Sequence, residues 1–538
     1  MKRRDFISTS TIAAVGITSI LNISCKNDEK DLNKKMKEDI DDFELNEITV
    51  QQLQEKMKDG VYTSEHITNL YLKRIEAIDK NGPRLNAIIE INPDAIEIAK
   101  AMDKERSKGK IRSALHGIPI LIKDNIDTAD KMMTTAGSLA LLNHHPKEDA
   151  FIVKQLRAAG AVIIGKTNLS EWANFRSTKS CSGWSSRGGQ TKNPYCLDHN
   201  PCGSSSGSGV AVAANLCAVA IGTETDGSIT CPAAVNGAVG FKPTVGLVSR
   251  SGIIPISSTQ DTAGPIARSV TDAAILLSAI TGIDILDVKT KESKEKIEKD
   301  YTKFLKLDGL KGKRIGMEKK KYDNQFLESL FVESIEALKS AGAIIVDIEY
   351  LEKINKLGDA EYKVLKFEFK DGLNKYFAQA NTSIKTIEDI IAFNKKNENE
   401  VMPTFKQEIL EASAKMKGLD SKEYLEALNK SHDAAKKMID DIMKANNLDA
   451  ICGLTMGPAC SIDTIYGDRW GEVFLTAPAA ISGYPHITVP TGKVYDLPVG
   501  LSFFSTAYQE PKLFEIAFAF EQATKHRTKP NFKLSFLA

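Results

Sequence analysis

The chain has 538 residues, with 71 Lys and Arg against 70 Asp and Glu, a net charge of +1 and a hydrophobic fraction of 42%. These values are typical of a globular protein with a large core and argue against binding of nucleic acid or membranes through an excess of charge. The 8 cysteines include no C-x-x-C pair. The sequence therefore predicts no zinc site.

Residues 1–25 have the pattern of an export signal. A basic start with Arg3 and Arg4 precedes the apolar run Ile12 to Leu21, which is shorter than the roughly 20 residues needed to span a bilayer. The start resembles a twin-arginine signal, and Ile23-Ser24-Cys25 resembles the end of a lipobox, which implies a lipid anchor on Cys25. Residues 26–45 are predicted to be a polar tether. We expect an exported protein, periplasmic or anchored in the cell envelope; the alternative is a buried first helix. Since twin-arginine substrates usually fold before export in a reducing compartment, this resemblance implies mostly buried free thiols, with room for one disulfide.

The remaining chain shows helical and strand patterns in alternation. Helices are predicted at Ile48 to Asp79, Asn92 to Lys108, Phe151 to Ala159 and Asp359 to Asn446. A buried strand is predicted at Ala161 to Ile164, and apolar strands are predicted at Gly117 to Ile122, Pro485 to Pro490 and Leu497 to Phe504. A helix–strand junction similar to that before Ile164 recurs at Ala341 to Val346. The charged stretch Asp284 to Asp300 is predicted to be a solvated connector. This alternation predicts an α/β fold: one large domain over residues 46–538, with a central mixed β-sheet covered by helices on both faces.

The segment from Pro201 to Pro243 carries the chemistry. It begins with a Gly- and Ser-rich run, Gly203 to Gly209, continues through the apolar stretch Ala211 to Ala220 and ends with Gly222-Thr223-Glu224-Thr225-Asp226-Gly227-Ser228. A flexible linker is usually flanked by polar segments. Because this run leads directly into apolar residues, we predict a fixed loop packed on the core.

Two familiar sequence motifs match this chain, but the local structure that each motif needs for its function is not predicted here. Gly160 to Thr167 matches a phosphate loop, but the predicted strand lies inside the pattern, where that loop must be flexible. Gly203 to Gly207 matches a hydrolase nucleophile elbow, which requires a strand immediately before it. The preceding residues, Tyr195 to Pro201, are polar and turn-like. Neither a nucleotide site nor an elbow serine is therefore predicted.

From about Ile48 to the C-terminus the chain resembles the amidase signature family, and within it the bacterial peptide amidases. His116 to Asn125 is similar to the lysine motif of the family, Gly203-Ser204-Ser205 to its bridging-serine segment and Asp226-Gly227-Ser228 to its nucleophile segment. The sequence departs from the broad family pattern at Cys202, Asp226 and Thr230.

The resemblance implies an amidase that hydrolyses a carboxamide to a carboxylate and ammonia through an acyl-enzyme, without cofactor or metal. Ser228 would attack, Ser204 would relay the proton and Lys123 would be the base. A neutral lysine requires a pKa roughly two to three units below its usual value near 10.4, and burial after an apolar strand favours this. The resemblance further implies a cis Gly203–Ser204 peptide bond and an oxyanion hole formed by the backbone N–H groups of Thr225, Asp226, Gly227 and Ser228.

Several alternatives remain open on the sequence. The side chain of Asp226 is a turn former, a helix cap or a substrate contact, with a structural role favoured. Structural roles are also expected for His116, His199 and His486. Competing functions are the amidase subunit of a tRNA-dependent amidotransferase, a non-catalytic envelope binding protein and an esterase–amidase. The expected partner is a small amide or an amidated peptide and no nucleic acid; the oligomeric state is left open.

Overall fold

The computed structural model of the chain describes residues 43–318 and 320–535. The predicted export signal over residues 1–25, with Cys25, and residues 26–42 of the predicted tether lie outside the described residues. Within the described residues, no helix combines the length and the apolar character needed to cross a bilayer.

The helices surround and cover a central sheet. They are α1 (Val50–Lys58), α2 (Ser64–Arg74), α3 (Ala95–Arg106), α4 (Phe151–Ala158), α5 (Ser206–Ala213), α6 (Thr230–Val235), α7 (Val270–Ile280), α8 (Gln325–Ser340), α9 (Leu351–Asn355), α10 (Gly358–Gln379), α11 (Ile387–Lys396), α12 (Glu398–Val401), α13 (Glu408–Ala414), α14 (Lys422–Leu428), α15 (Ala434–Ala445), α16 (Ala477–Ser482) and α17 (Glu510–Thr524). The helix predicted over Ile48 to Asp79 is divided into α1 and α2, because Thr63 begins a new helix: its side chain accepts a hydrogen bond from the N–H of His66 and caps α2.

The strands are β1 (Ile88–Ile91), β2 (Pro119–Lys123), β3 (Val162–Thr167), β4 (Trp184–Ser185), β5 (Gly189–Gln190), β6 (Val219–Glu224), β7 (Val239–Lys242), β8 (Thr262–Ala267), β9 (Arg314–Met317), β10 (Ile344–Asp347), β11 (Ala450–Leu454), β12 (His486–Val494) and β13 (Leu497–Phe504). In the described residues, β4 and β5 form a separate pair and the others form one 11-stranded sheet in the order β1-β3-β2-β6-β8-β7-β12-β13-β11-β9-β10. The sheet is mixed and draws strands from both ends of the chain, so the predicted fold class is confirmed.

Three neighbouring parallel strands set the position of the site. β2 lies between β3 and β6 and pairs in parallel with both, with Ile122 opposite Ile221. All residues of β2, β3 and β6 are buried, which explains the apolar runs with which the three strands begin. Because parallel strands end at the same edge of a sheet, Lys123 at the end of β2 lies beside the end of β6.

The helices between β10 and β11 cover this edge through an apolar cluster. Phe369, Leu373 and Phe377 of α10 and Ile387 and Ile390 of α11 join Trp172, Phe175, Ile254 and Ile256 in one buried group. The helical character predicted for Asp359 to Asn446 is therefore confirmed, as several shorter helices whose apolar faces pack on the loops near the strand ends.

The predicted solvated connector is wrong for part of its length. Residues Val288–Ser293 form a short 3-10 helix, and Asp284, Asp287, Thr290 and Ser293 are buried. The hydroxyl of Ser249 donates to Asp284 at 2.6 Å, and Arg250 pairs with Asp287 at 2.7 Å. These polar partners, which come from a distant segment, allow charged residues to be buried.

Candidate active site

Lys123 ends β2 and its ammonium nitrogen is enclosed by protein. The side chain is 0% exposed. Its Nζ lies 2.8 Å from the hydroxyl of Ser204, 2.8 Å from the hydroxyl of Thr223 and 3.2 Å from the carbonyl oxygen of Thr223. Burial lowers the pKa of Lys123 to about 7, although the carboxylates of Asp261 and Glu224 oppose the shift. A substantial neutral fraction at physiological pH follows, which a general base requires.

The Ser-rich loop before α5 is fixed by hydrogen bonds. Ser204, Ser205 and Ser206 are each 0% exposed. The hydroxyl of Ser205 donates to the carbonyl of Thr223 at 3.0 Å, and that of Ser206 donates to the carbonyl of Cys202 at 2.5 Å. The Gly203–Ser204 peptide bond is cis. The loop therefore holds the Ser204 hydroxyl against Lys123 and is not a flexible linker.

Ser228 lies in the turn between β6 and α6. It is 7% exposed, and its carbonyl oxygen accepts a hydrogen bond from the backbone N–H of Ser205 at 3.2 Å, which joins the two serine loops. The carboxylate of Glu224 accepts hydrogen bonds from the backbone N–H groups of Ile229 at 2.7 Å and Thr230 at 2.8 Å. The turn is thus anchored immediately after Ser228, as a positioned nucleophile requires.

The predicted oxyanion donors lie in the same turn. Within the part of the chain that the structure describes, the backbone N–H groups of Thr225, Asp226, Gly227 and Ser228 have no protein acceptor. Gly227 has a φ of 76°, a left-handed conformation that suits glycine. Four unpaired donors beside a serine hydroxyl form a site that can receive a developing negative charge.

A disulfide joins the two serine loops. Cys202 and Cys231 are bonded, and Cys202 directly precedes the Gly203–Ser204 bond while Cys231 lies one helical turn beyond Ser228. The other cysteines among the described residues are free: Cys181, Cys196, Cys217, Cys452 and Cys460. Free thiols with one disulfide agree with the sequence-based expectation for these residues.

A cavity of about 290 Å³ opens at Ser228. Its apolar wall includes Phe175, Ile256, Leu365, Trp470 and Phe474, and its polar wall includes Asn174, Ser182, Asp226 and Asp468. A larger cavity of about 660 Å³ beside α1 and α7 contains none of the predicted site residues. The smaller cavity is therefore where a carbonyl group can reach Ser228.

The histidines lie elsewhere and have structural partners. His116 Nε2 contacts the carbonyl of Met102 at 3.0 Å, His199 Nδ1 lies 2.6 Å from Asp198, and His486 Nε2 lies 2.6 Å from the hydroxyl of Ser502. Burial lowers the pKa of His486 to about 3. None of them lines the cavity at Ser228. Among the described residues, Cys196, Asp198 and His199 are close enough together to bind one metal ion. None of these three residues lines the cavity at Ser228.

Sequence reasoning missed two residues of the site. Thr223 contacts Lys123 through both its hydroxyl and its carbonyl oxygen. Its position could have been inferred, because Thr223 lies in the motif before Ser228, near the end of a strand that runs parallel to the strand of Lys123. Glu361 lies on α10 and forms a hydrogen bond with Asp226. No local pattern marks Glu361, because 135 positions separate the two residues in the chain.

Known proteins resemble this chain over most of its length. The family model described as Amidase matches residues 66–514. The chain belongs to the amidase family. This amidase is 43% identical to a "Probable amidase" of Arabidopsis thaliana over 91% of the chain and 92% of that protein. It is 35% identical to a glutamyl-tRNA(Gln) amidotransferase subunit from Thermoanaerobacter pseudethanolicus over 91% of the chain and 99% of that protein.

A solved structure agrees with the same assignment. The native peptide amidase from Stenotrophomonas maltophilia is 48% identical, with a TM-score of 0.87, over 91% of this chain and 99% of that one. The fold and the amidase activity predicted from the sequence are confirmed: the chain is a hydrolase that acts on amide C–N bonds.

Proposed function

We propose that this amidase hydrolyses the C-terminal carboxamide of peptides through a Ser–Ser–Lys triad. Ser228 is the nucleophile, Ser204 the proton relay and Lys123 the base. The observation that carries the proposal is the buried 2.8 Å hydrogen bond between Lys123 and Ser204, beside a cavity that exposes Ser228. A lysine whose pKa is lowered to about 7 by burial can accept a proton where an exposed lysine cannot.

The acylation half-reaction follows from these positions. The Oγ atom of Ser228 attacks the carbonyl carbon while its proton passes to Ser204 and the proton of Ser204 passes to Lys123. The negative charge on the carbonyl oxygen is stabilised by the N–H groups of Thr225, Asp226 and Gly227. When the C–N bond breaks, the proton returns through Ser204 to the leaving nitrogen. Ammonia departs and the acyl group remains on Ser228.

Deacylation reverses the proton path. A water molecule attacks the ester carbon and gives its proton through Ser204 to neutral Lys123. The tetrahedral intermediate then releases the carboxylic acid, and the proton on Lys123 returns through Ser204 to the oxygen of Ser228. The carboxylic acid loses its proton to solvent, so one amide and one water become one carboxylate and one ammonium ion.

The choice of a peptide amide rests on two supports. One is the 48% sequence identity to the peptide amidase from Stenotrophomonas maltophilia. The other is the cavity lining, which combines the apolar side chains of Trp470 and Phe474 with the polar residues Ser182 and Asp226. Apolar and polar surfaces together suit a chain that alternates side chains and peptide groups.

The test is ammonia release from a panel of amides by purified protein. We expect release from N-acyl amino acid amides and from peptide amides, without partner proteins. A requirement for partner subunits and charged tRNA would favour the amidotransferase alternative, faster turnover of matched esters would favour an esterase–amidase, and binding without turnover would favour a binding protein. Loss of ammonia release in Ser228→Ala assigns the activity to this site.

We also propose that the protein is exported and anchored through Cys25. The support is the basic and apolar start of the chain and the Ile23-Ser24-Cys25 sequence. Cell fractionation of the full chain and of Cys25→Ser tests this: wild type should enter the membrane fraction, and the variant should be released in soluble form. Wild type in the soluble fraction would contradict the anchor.

A further inference from the structure

Asp226 has an unusual position in the nucleophile turn. Its neighbours Thr225 and Ser228 are 8% and 7% exposed, whereas Asp226 is half-buried and lines the cavity with Ser228. One carboxylate oxygen accepts a hydrogen bond from the hydroxyl of Thr476 at 2.5 Å. Asp226 is therefore fixed by Thr476 and remains partly exposed at a position that lines the cavity.

The second partner of Asp226 is another carboxyl group. Glu361 of α10 is 7% exposed and forms a hydrogen bond with Asp226. Its other contact is the amide nitrogen of Gln260, which donates at 2.9 Å and also donates to the carbonyl of Thr225 at 3.3 Å. Two carboxyl groups can form a hydrogen bond only when one of them carries a proton. The pair is then singly charged.

The surroundings of the pair favour the proton on Glu361 and the charge on Asp226. Burial raises its pKa well above the usual value, and the negative charge of Asp226 adds to the effect. Burial also raises the pKa of Asp226, but only to about 6, because the hydroxyl of Thr476 stabilises its carboxylate. Asp226 is thus the charged member of the pair at neutral pH.

This charge has no cationic partner in contact. Among the described residues, no lysine or arginine forms an ion pair with Asp226 or Glu361, and the hydrogen bonds to the pair come from Thr476 and Gln260. A buried carboxylate usually accepts several hydrogen bonds. Asp226 lines the same cavity as Ser228, where the substrate carbonyl must lie.

We propose that Asp226 is a specificity-determining residue whose carboxylate accepts a hydrogen bond from a substrate N–H group adjoining the scissile carbonyl, with Glu361 as its neighbour on the protein side. The inference rests on the proposed function and deepens it. The N–H group has two possible sources: the leaving carboxamide nitrogen or the amide nitrogen on the α-carbon. The same charge disfavours the carboxylate product, since like charges repel at short range.

The test compares substrates that differ by one N–H group. N-acetyl-phenylalaninamide has both sources, its N-methylated acetamide analogue lacks the α N–H, and N-acetyl-phenylalanine methyl ester lacks the leaving-group N–H. The variants are D226N, which replaces the charged acceptor with a neutral amide, and E361Q, which keeps a donor towards Asp226. The matched control is D468N, because Asp468 is another carboxyl group on the same cavity, already bonded to Ser182 and Asn200.

We expect wild type to prefer the α N–H substrate over its N-methyl analogue in kcat/KM by about 10- to 100-fold if the α nitrogen is the donor, as for a hydrogen bond to a charged group. The amide-to-ester ratio changes instead if the leaving nitrogen is the donor. In D226N the affected ratio should fall at least tenfold, while E361Q and D468N should retain it. Asp226→Ser removes the same charge with a smaller side chain if D226N misfolds.

An equal loss on all three compounds in D226N, or unchanged ratios, would overturn the proposal and assign Asp226 a structural role. Binding of the three compounds to Ser228→Ala chains, with and without D226N, gives a readout that needs no turnover. Inactive wild type with a binding preference that depends on Asp226 would contradict the proposed function alone. Inactive wild type without that preference would contradict both.

Discussion

The amino nitrogen of Lys123 and the hydroxyl of Ser204 lie 2.8 Å apart although 81 positions separate them in the chain. The parallel strands β2 and β6 bring the two segments together, because Thr223 of β6 contacts Lys123 and also accepts from the hydroxyl of Ser205. The sheet therefore supplies the buried environment, and the fixed serine loop supplies the partner. A base and a relay are positioned before any substrate arrives.

Replacement of the base should separate activity from stability. We expect Lys123→Met to reduce kcat by about 10³-fold or more, as for other members of catalytic units. The same variant should raise the free energy of unfolding at neutral pH by about 1–4 kcal/mol, because the wild-type chain takes up a proton on this lysine when it unfolds and the variant does not. Lys192→Met, at a half-buried position outside the cavity, is the control for the loss of a lysine. Retained activity in Lys123→Met would refute its role as base.

The pH dependence of activity should report the same group. The pKa of Lys123 is lowered to about 7 by burial, and only the neutral form accepts a proton. We therefore expect kcat/KM to rise with pH and to reach half its maximum near pH 7. A stopped assay of ammonia release across the pH range measures this profile. An activity that is highest in acid and falls through pH 7 would contradict a neutral lysine.

The pH dependence of stability has a defined sign. The pKa of Lys123 is lower in the folded state, about 7 against 10.5 in the unfolded chain, so the unfolded chain binds more protons between these values. Stability contributed through this group therefore rises as pH increases from about 7 to 10.5. The stability advantage of Lys123→Met should be largest below pH 7 and should shrink through this window, as measured by denaturant unfolding.

Removal of the disulfide should weaken both the fold and catalysis. Cys202 and Cys231 close a loop with a sequence separation of 29, and loss of such a bond costs about 2–4 kcal/mol of unfolding free energy. Because the bond joins the two serine loops, we expect a Cys202→Ser/Cys231→Ser double variant to lose about 10- to 100-fold in kcat. Urea titrations with and without reductant provide the measurement.

Two controls separate this effect from general thiol chemistry. Cys217→Ser removes a buried free thiol and should not abolish the response to reductant. The Cys202→Ser/Cys231→Ser variant itself should show no response. If reductant leaves the stability of wild type unchanged, the disulfide does not contribute to the fold.

The buried ion pair between Arg176 and Glu171 should stabilise the contact between the covering helices and the loop of Ala173 to Phe175, which lines the cavity. Arg176 is 0% exposed, pairs with Glu171 at 2.6 Å and donates to the carbonyls of Val401 at 2.8 Å and Phe405 at 3.0 Å. We expect Arg176→Ala to cost about 3–5 kcal/mol of unfolding free energy, because Glu171 is left buried without its partner. A double variant that also carries Glu171→Gln should recover part of this cost; a fully additive loss would exclude the pairing.

The sequence permits most of the fold to be predicted and only part of the site. Apolar runs at β2 and β3 identify buried strands, and the motifs at Lys123, Ser204 and Ser228 have local patterns. Glu361 and Thr476 contact Asp226 only in the folded chain, so no local sequence pattern predicts these contacts. The pairing of Cys202 with Cys231 is equally hidden, because the cysteines of that region allow several pairings. Long-range packing, which local patterns do not contain, decides these contacts.

The most direct test of the central claim is to locate the acyl group during turnover. The protein is mixed with a slowly hydrolysed N-acyl amino acid ester, quenched in acid, digested and analysed by mass spectrometry. The account predicts one acyl group on Ser228, absent from Ser228→Ala and strongly reduced in Lys123→Met. An acyl group on Ser204 or on another residue, or ammonia release from amides with no acyl-enzyme under any quench, would contradict it.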